Sequence, residues 1–363
     1  MGKTKYISDV HKMKELDSNE KQIFSKVSEQ FKFRTNSYYN ALIDWTDPND
    51  PLRRVVIPDA DELINWGTLD ASDEIRYQPV EGLEHKYPNT ALLLCNEVCG
   101  AYCRFCFRKR LFKDENDEVK KDVSAGIAYI QKHKGIDNVL LTGGDPLMLS
   151  NRRIMDILDR LKTIQHVKVI RFGTKMLGFD PLKISENKEL LDYLSDYSLH
   201  KKVYFMLHFN HPREMTSEAL HAIQAIQTCG VITVNQTPII RGVNDNVETM
   251  TQLFSDLSFA GVLPYYVFSC RPTAGNFTYA VPVEEAYAIF IKARSRNSGL
   301  AKTARFVMSY TDGKIEVIAK TGNKIYFKKH NWANSSENEE LLVFPSNSKA
   351  YWFDDYLPKT EVS

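Results

Sequence analysis

Cys99, Cys103 and Cys106 form a Cys-x3-Cys-x2-Cys loop. It carries three thiolate donors on one short turn, one fewer than completes a cubane iron–sulfur cluster or a structural zinc site. The missing ligand leaves one iron of a [4Fe–4S] cluster open to chelation by a small molecule with an amino and a carboxylate group. A zinc knuckle that adds a histidine or Cys95 is the plainer alternative. Cys95 sits in an apolar run and Cys229 at the end of a helical pattern, places where buried thiols are common. Gly143-Gly144-Asp145-Pro146 is a second chemical feature. Two glycines allow a backbone to approach a ligand closely, and a carboxylate beside them can accept from an ammonium group, although the same residues also make a good turn.

Elements that end where these residues begin must position them. Six short apolar runs, Ala91–Cys95, Asn138–Thr142, Val167–Phe172, Val203–Phe209, Val231–Thr237 and Tyr265–Ser269, alternate with helical patterns near 120–133, 151–163, 186–195, 216–228, 246–259 and 283–296. This alternation predicts an α/β fold, a parallel sheet with right-handed crossovers closed or partly closed into a TIM-like (β/α)6 barrel. Functional loops in such folds follow the C-terminal ends of strands. The unusual residues comply: the cysteine loop follows the first run, Gly143-Gly144-Asp145 the second, His208 and His211 the fourth, Asn235-Gln236 the fifth and Cys270-Arg271 the sixth. Residues 1–75 read as an N-terminal helical extension with a Pro-rich linker, 76–304 as the core barrel and 305–363 as a C-terminal hairpin and aromatic tail. Asp312-Gly313 is the expected hairpin turn, with the tail packed back on the core.

Composition narrows the function classes. With Lys+Arg 47 against Asp+Glu 46 the net charge is +1, which removes the electrostatic case for a nucleic-acid partner. No stretch approaches the roughly 20 apolar residues of a membrane helix. The charged start of the chain is not a secretory signal and does not fit a myristoylation pattern, so a cytoplasmic location is expected. Without export, four cysteines between Cys95 and Cys106 speak for metal or redox chemistry and against disulfides.

The cysteine spacing, with Tyr102 before the second cysteine, resembles the radical S-adenosylmethionine (SAM) enzymes. Asp47-Pro-Asn-Asp-Pro51 through Ile57-Pro58, Lys86-Tyr87-Pro88, Arg108-Lys109-Arg110 after the cysteines, Leu141 through Leu147, His208 through Pro212 and Arg241 through Asp245 are similar to the lysine 2,3-aminomutase-like subfamily over about residues 45–310. The resemblance implies a [4Fe–4S] cluster on Cys99, Cys103 and Cys106. It also implies SAM held by Gly143, Gly144 and Asp145 with His208 and Gln236 in reach, and a 5′-deoxyadenosyl radical that abstracts hydrogen from substrate. An electron donor such as flavodoxin or ferredoxin is implied as partner. The plainer role for His208 and His211 is hydrogen bonding that shapes their loops.

Family members with aminomutase activity hold the substrate amine on pyridoxal phosphate (PLP), which needs a lysine and cations for the phosphate. This chain departs at those places. A shorter Thr311-Asp312-Gly313-Lys314 stands in for the Gly-rich loop that ends in the PLP lysine, and Thr90 stands where a phosphate-binding arginine is expected. Lys314 is the residue in register for PLP, or else a solvated turn lysine. Arg271 and Ser309 replace two aspartates that receive the distal ammonium of lysine, which implies a substrate with an anionic distal group. A surface guanidinium or an ion pair is the alternative for Arg271. Arg108 matches the arginine that grips a substrate α-carboxylate. The resemblance implies no zinc site and no secure oligomeric state. The expected reaction is a 1,2-amino shift if PLP is bound. The alternatives are a PLP-independent radical epimerase, lyase or rearrangement enzyme, and a non-catalytic iron–sulfur or zinc-binding protein. Cys270 is either a hydrogen donor or core.

Overall fold

The computed structural model describes residues 4–113 and 116–358. Met1-Gly2-Lys3, on which the expectation about an N-terminal signal partly rests, lies outside them. A short antiparallel pair, β1 (Tyr6–Ile7) and β2 (Thr35–Asn36), belongs to the N-terminal extension. The remaining strands form one eleven-stranded sheet. It begins with β3 (Leu83–Tyr87) and continues through β4 (Thr90–Asn96), β5 (Asn138–Gly143), β6 (Val169–Thr174), β7 (Lys202–Leu207), β8 (Ile232–Pro238), β9 (Leu263–Phe268) and β10 (Arg305–Tyr310). β11 (Gly313–Thr321), β12 (Lys324–Trp332) and β13 (Leu341–Pro345) complete it.

Strands β4 to β10 run parallel in sequence order. There are seven, not the six expected. The helix Val283–Ser295 is a further crossover, so the segment at 305–310 returns parallel to β9 before it turns back as a hairpin. β3 flanks one edge antiparallel, and β11 to β13 flank the other. Among the described residues no backbone ladder closes the ring; the two ends of the curled sheet meet through contacts made by side chains. Lys86 Nζ donates to the Tyr310 carbonyl at 3.5 Å and the Tyr77 hydroxyl to Asp312 at 2.9 Å, and Arg76 pairs with Asp312 at 3.3 Å.

Alternation along each strand sorts the side chains. Leu141, Ile170, Phe172, Phe205 and Met308 join the large core under the helices. The opposite face carries Arg171 in register with Tyr204, Gln236 with Tyr266, and Ser309 with Lys314. Helix starts are fixed by side-chain caps: Asn187, Thr216 and Asn246 each accept a backbone N–H from the first turn. A second core, including Met13, Tyr39, Leu52, Val55, Phe105 and Tyr279, binds the N-terminal extension to the end of the sheet that bears the cysteine loop. Trp332, Trp352, Phe353 and Tyr356 of the tail pack into the large core, as expected. No helix among the described residues is long and apolar enough to cross a membrane.

Two local readings are corrected. Gln236 lies on β8 and not in the loop after it. The hairpin turn is Thr311-Asp312, because Tyr310 pairs with Gly313. Gly313 is needed on the strand: a Cβ there would sit 2.3 Å from the Asn331 carbonyl oxygen and 2.6 Å from the Trp332 ring. The shift puts Lys314 on β11, aimed across the sheet's inner face instead of into solvent. Gly313→Ala is expected to destabilise the fold by about 1–3 kcal/mol through overpacking against β12. Urea unfolding checks this; an unchanged midpoint would contradict the contact.

Candidate active site

The loop after β4 carries its three thiols into a buried setting. Burial pushes Cys103 up to about 12 and raises Cys99 and Cys106; Cys99 also feels both other thiols and Cys103 feels Cys106, while Lys109, Arg108 and Arg110 oppose the rise at Cys106. Thiolates there need a positive centre to hold them. Among the described residues no three His, Cys, Asp or Glu side chains converge on a point that one metal ion could fill. Three cysteine thiols on one loop are a donor set that suits an iron–sulfur cluster.

Four cations on the same loop are buried with it. The Arg104 guanidinium donates from Nε and Nη2 to Glu62, both at 2.8 Å, and Lys109 Nζ lies 3.4 Å from the same carboxylate. Burial pushes the Glu62 carboxyl up, but Arg104 and Lys109 outweigh that and hold it below its ordinary value. Arg108 donates to Glu74 at 3.1 Å, to Glu84 at 3.2 Å and to the Thr142 hydroxyl at 2.9 Å, and Arg110 reaches Glu74 at 2.8 Å and Glu118 at 2.9 Å. Arg108 therefore spends most of its donors within the fold, which leaves little capacity for a substrate carboxylate.

The loop after β5 is pressed against the start of the cysteine loop. Gly143 has φ +108°, and a Cβ on Gly144 would lie 2.7 Å from the Val98 backbone. Here the glycines serve the close approach of two loops. The Asp145 carboxylate accepts from the Leu147 and Lys175 N–H groups at 3.0 and 2.8 Å and from the Thr174 hydroxyl at 2.9 Å. Three donors fill most of its roughly four acceptor sites; burial pushes its pKa up to about 6. The side chain mainly pins the loop to β6.

Lys175 was not singled out in the sequence and is central to this end of the sheet. Its Nζ donates to the His208 carbonyl at 2.6 Å, to Asn210 Oδ1 at 2.8 Å and to Glu214 at 2.7 Å, and the Tyr39 hydroxyl donates to the same Glu214 oxygen at 2.6 Å. Burial, with Lys175 adding to it, pushes the His208 imidazole down to about 3. Its Nε2 is buried without a partner, a neutral group with capacity to spare. His211 instead accepts from the Arg213 N–H at 3.2 Å and shapes its turn. Cys95 and Cys270 are buried, each thiol pushed up to about 12 by desolvation.

On the inner face, Lys314 Nζ donates to the Tyr87 hydroxyl at 3.0 Å and lies 4.4 Å from that ring's centre. Burial, reinforced by Arg171 and Arg271, pushes its ammonium down to about 8. Arg271 lies over the Phe107 ring at 4.1 Å with its Nη1 buried and unpartnered. Burial pushes it down to about 10 although Glu74 opposes this. The turn-lysine and surface-arginine readings are thus both replaced by buried cations. Arg171, passed over in the sequence, was legible as one charge inside Val169-Ile-Arg-Phe-Gly. Glu62, Glu74 and Glu84 carried no such signal, since their partners are 24 to 47 residues away in sequence.

Glu62→Ala leaves Arg104 and Lys109 buried without a counter-charge, and is expected to cost about 3–5 kcal/mol of stability. Iron loading after anaerobic reconstitution should fall with it. A variant that keeps the wild-type urea midpoint and iron content would overturn this account of how the cysteine loop is held.

The Radical SAM superfamily model matches residues 94–254, which run from within β4 to within the helix Val247–Phe259 and include the cysteine loop, the Gly-Gly-Asp loop and His208. Over 356 residues the chain is 51% identical to "Putative L-lysine 2,3-aminomutase" of Aquifex aeolicus, covering 98% of this chain and 95% of that protein. It is 34% identical over 297 residues to the L-lysine 2,3-aminomutase of Clostridium subterminale, 81% of this chain and 70% of the other. To the glutamate 2,3-aminomutase of Clostridioides difficile it is 31% identical over 297 residues, 81% and 69% of the two chains. The parallel sheet, the half-buried three-thiol loop at its C-terminal edge and similarity over nearly the whole chain lead to one conclusion: this chain belongs to the lysine 2,3-aminomutase family of radical SAM enzymes, isomerases whose family implies a [4Fe–4S] cluster and SAM.

Proposed function

We propose that this enzyme is an aminomutase that carries PLP on Lys314 and acts on an α-amino acid with an anionic distal group. One observation carries the reading: the half-buried Lys314 amine lies on the inner face of the sheet, beside two arginines that have no carboxylate partner among the described residues. Cys99, Cys103 and Cys106 would hold the cluster, and the loops bearing Gly143-Gly144-Asp145, His208 and Gln236 would line the SAM side. When bound, the cluster and SAM supply a hydrogen-abstracting radical, and PLP supplies a carrier for the migrating amine.

The chain's own residues support this division of labour. A lysine pushed down to about 8 presents a useful fraction of free amine near neutral pH, which attack on a carbonyl requires. The unpaired Nη1 of Arg271 is a donor for a distal carboxylate, whereas a second ammonium placed beside it would add like charge in a desolvated site. Glu74 and Glu84 are already bound to Arg108 and cannot serve as counter-charge for a lysine side chain. Relatives are named for lysine and for glutamate; the charge around Arg271 and Ser309 favours the acidic substrate.

Borohydride reduction after anaerobic reconstitution with PLP should leave a pyridoxyl group on the Lys314 peptide. Its trapping rate should rise about tenfold per pH unit and level off near pH 8, because only the unprotonated amine reacts and burial lowers its pKa to about 8. An unmodified Lys314 in protein that still cleaves SAM would move the enzyme to PLP-independent radical chemistry. Under turnover, glutamate should be preferred to lysine, and Arg271→Gln should lower kcat/KM for glutamate about 10- to 100-fold, the worth of one charged hydrogen bond. Efficient turnover of lysine would overturn the assignment of substrate charge.

A further inference from the structure

The two unpaired arginines lie at different depths. Arg271 is three residues beyond the end of β9, at the mouth and over Phe107 of the cysteine loop. Arg171 is the third residue of β6, three before the strand ends at Thr174, so it lies deeper on the inner face. Its Nε is buried without a hydrogen-bond partner, and no carboxylate pairs with it among the described residues. The groups acting on it are phenols, Tyr265, Tyr266 and Tyr87. The Tyr266 hydroxyl accepts from that of Tyr265 at 3.3 Å and lies 2.8 Å from His330 Nε2, and the Tyr87 hydroxyl accepts from Lys314, so the phenol hydrogens of Tyr266 and Tyr87 are the ones open to a ligand. A guanidinium stays charged, and keeping one desolvated among phenols, with the Lys314 ammonium also in reach, is costly unless an anion completes the site.

Position selects the anion. Substrate must meet the radical near the cysteine loop, where Arg271 lies, whereas Arg171 and the tyrosines sit below, on the same face as Lys314. The corner between β3 and β4 has Thr90 where a phosphate-binding arginine was expected, and the Thr90 hydroxyl donates to Asn89 at 3.1 Å. We propose that Arg171, with the hydroxyls of Tyr87 and Tyr266, seats the phosphate of the cofactor carried by Lys314, a duty moved across the sheet from the β3–β4 corner to β6. The assignment rests on the PLP reading above. A planar guanidinium fork matches two phosphate oxygens, and phenol hydroxyls supply further donors.

The test compares PLP with pyridoxal, which has the aldehyde and lacks the phosphate. Full-length, cluster-reconstituted enzyme is titrated with each aldehyde and reduced with borohydride, and the labelled fraction of the Lys314 peptide is read by mass spectrometry. Wild type should half-saturate with PLP at a concentration at least about tenfold below that for pyridoxal. Arg171→Gln should erase most of this preference without moving the pyridoxal curve, Arg171→Lys should keep part of it, and Arg271→Gln should leave it intact. In wild-type enzyme, which needs no variant to fold, inorganic phosphate should shift the PLP curve to higher concentration and leave the pyridoxal curve in place. Equal shifts of both curves in Arg171→Gln, or loss of the preference in Arg271→Gln, would overturn the seat at Arg171. Wild-type labelling with no preference for the phosphate, or no effect of inorganic phosphate, would sink the phosphate seat alone. Failure of both aldehydes to label Lys314 would sink the PLP reading and the seat with it.

Discussion

The burial of cationic side chains around the cysteine loop is the constraint on which the rest of the structure depends. Arg104, Arg108, Lys109 and Arg110 follow or separate the three cysteines and are almost wholly removed from water. Such charges are tolerable only with partners of good geometry. Two of the carboxylates, Glu62 and Glu74, come from the segment before the sheet, and a third, Glu84, from its edge strand β3. The N-terminal extension is for this reason part of the catalytic end: without its carboxylates the loop that presents the thiols would have no stable buried conformation. The same carboxylates are then spent. Glu74 alone serves both Arg108 and Arg110, which leaves Arg271 close enough to feel it but without an ion pair of its own.

The curl of the sheet gives that accounting a polarity on its inner face. β3 and the β10–β11 turn come together through Lys86, Tyr77 and Arg76 and not through a ladder. The side chains at this seam face the same interior as Arg171 and Lys314. An interior whose carboxylates are all engaged and whose remaining charges are cationic rejects cations and draws anions, through local desolvated contacts and not through net charge, which is +1 for the whole chain. Depth then separates the two proposed anion positions, Arg271 at the mouth near the thiols and Arg171 further in on the inner face.

Much of this was legible in the sequence. The six apolar runs fell on strands β4 to β9 within two residues at either end, because β-branched and aromatic residues alternate with helical periodicity there. The thiol loop and the Gly-Gly-Asp loop were legible because each follows a strand. The seventh parallel strand was hidden by a hairpin signal that was itself correct, since β10 pairs with β9 on one side and β11 on the other. The turn slipped by one residue because Asp-Gly has a strong local preference, whereas Gly313 is held on the strand by close packing against Asn331 and Trp332. That one-residue slip is what separates a solvated lysine from a buried one, since neighbouring strand residues face opposite ways.

Residue type and spacing therefore identify which groups can react, but not which are still free to do so. Asp145 and Arg108 have the right chemistry to bind an amino acid's ammonium and carboxylate, yet both spend most of their capacity inside the fold, on Thr174, Lys175 and Leu147 in one case and on Glu74, Glu84 and Thr142 in the other. Arg171, Arg271 and His208 have weaker motif credentials and buried nitrogens with no partner. An unmet buried donor is costly to maintain, and a ligand that meets it recovers that cost as binding energy. In this chain those unmet donors lie on or beside the inner face of one curled sheet, with the Lys314 amine near both arginines and the His208 imidazole beside Phe105 of the cysteine loop. That distribution, more than any single motif, is the ground for the anionic substrate and the phosphate seat proposed above.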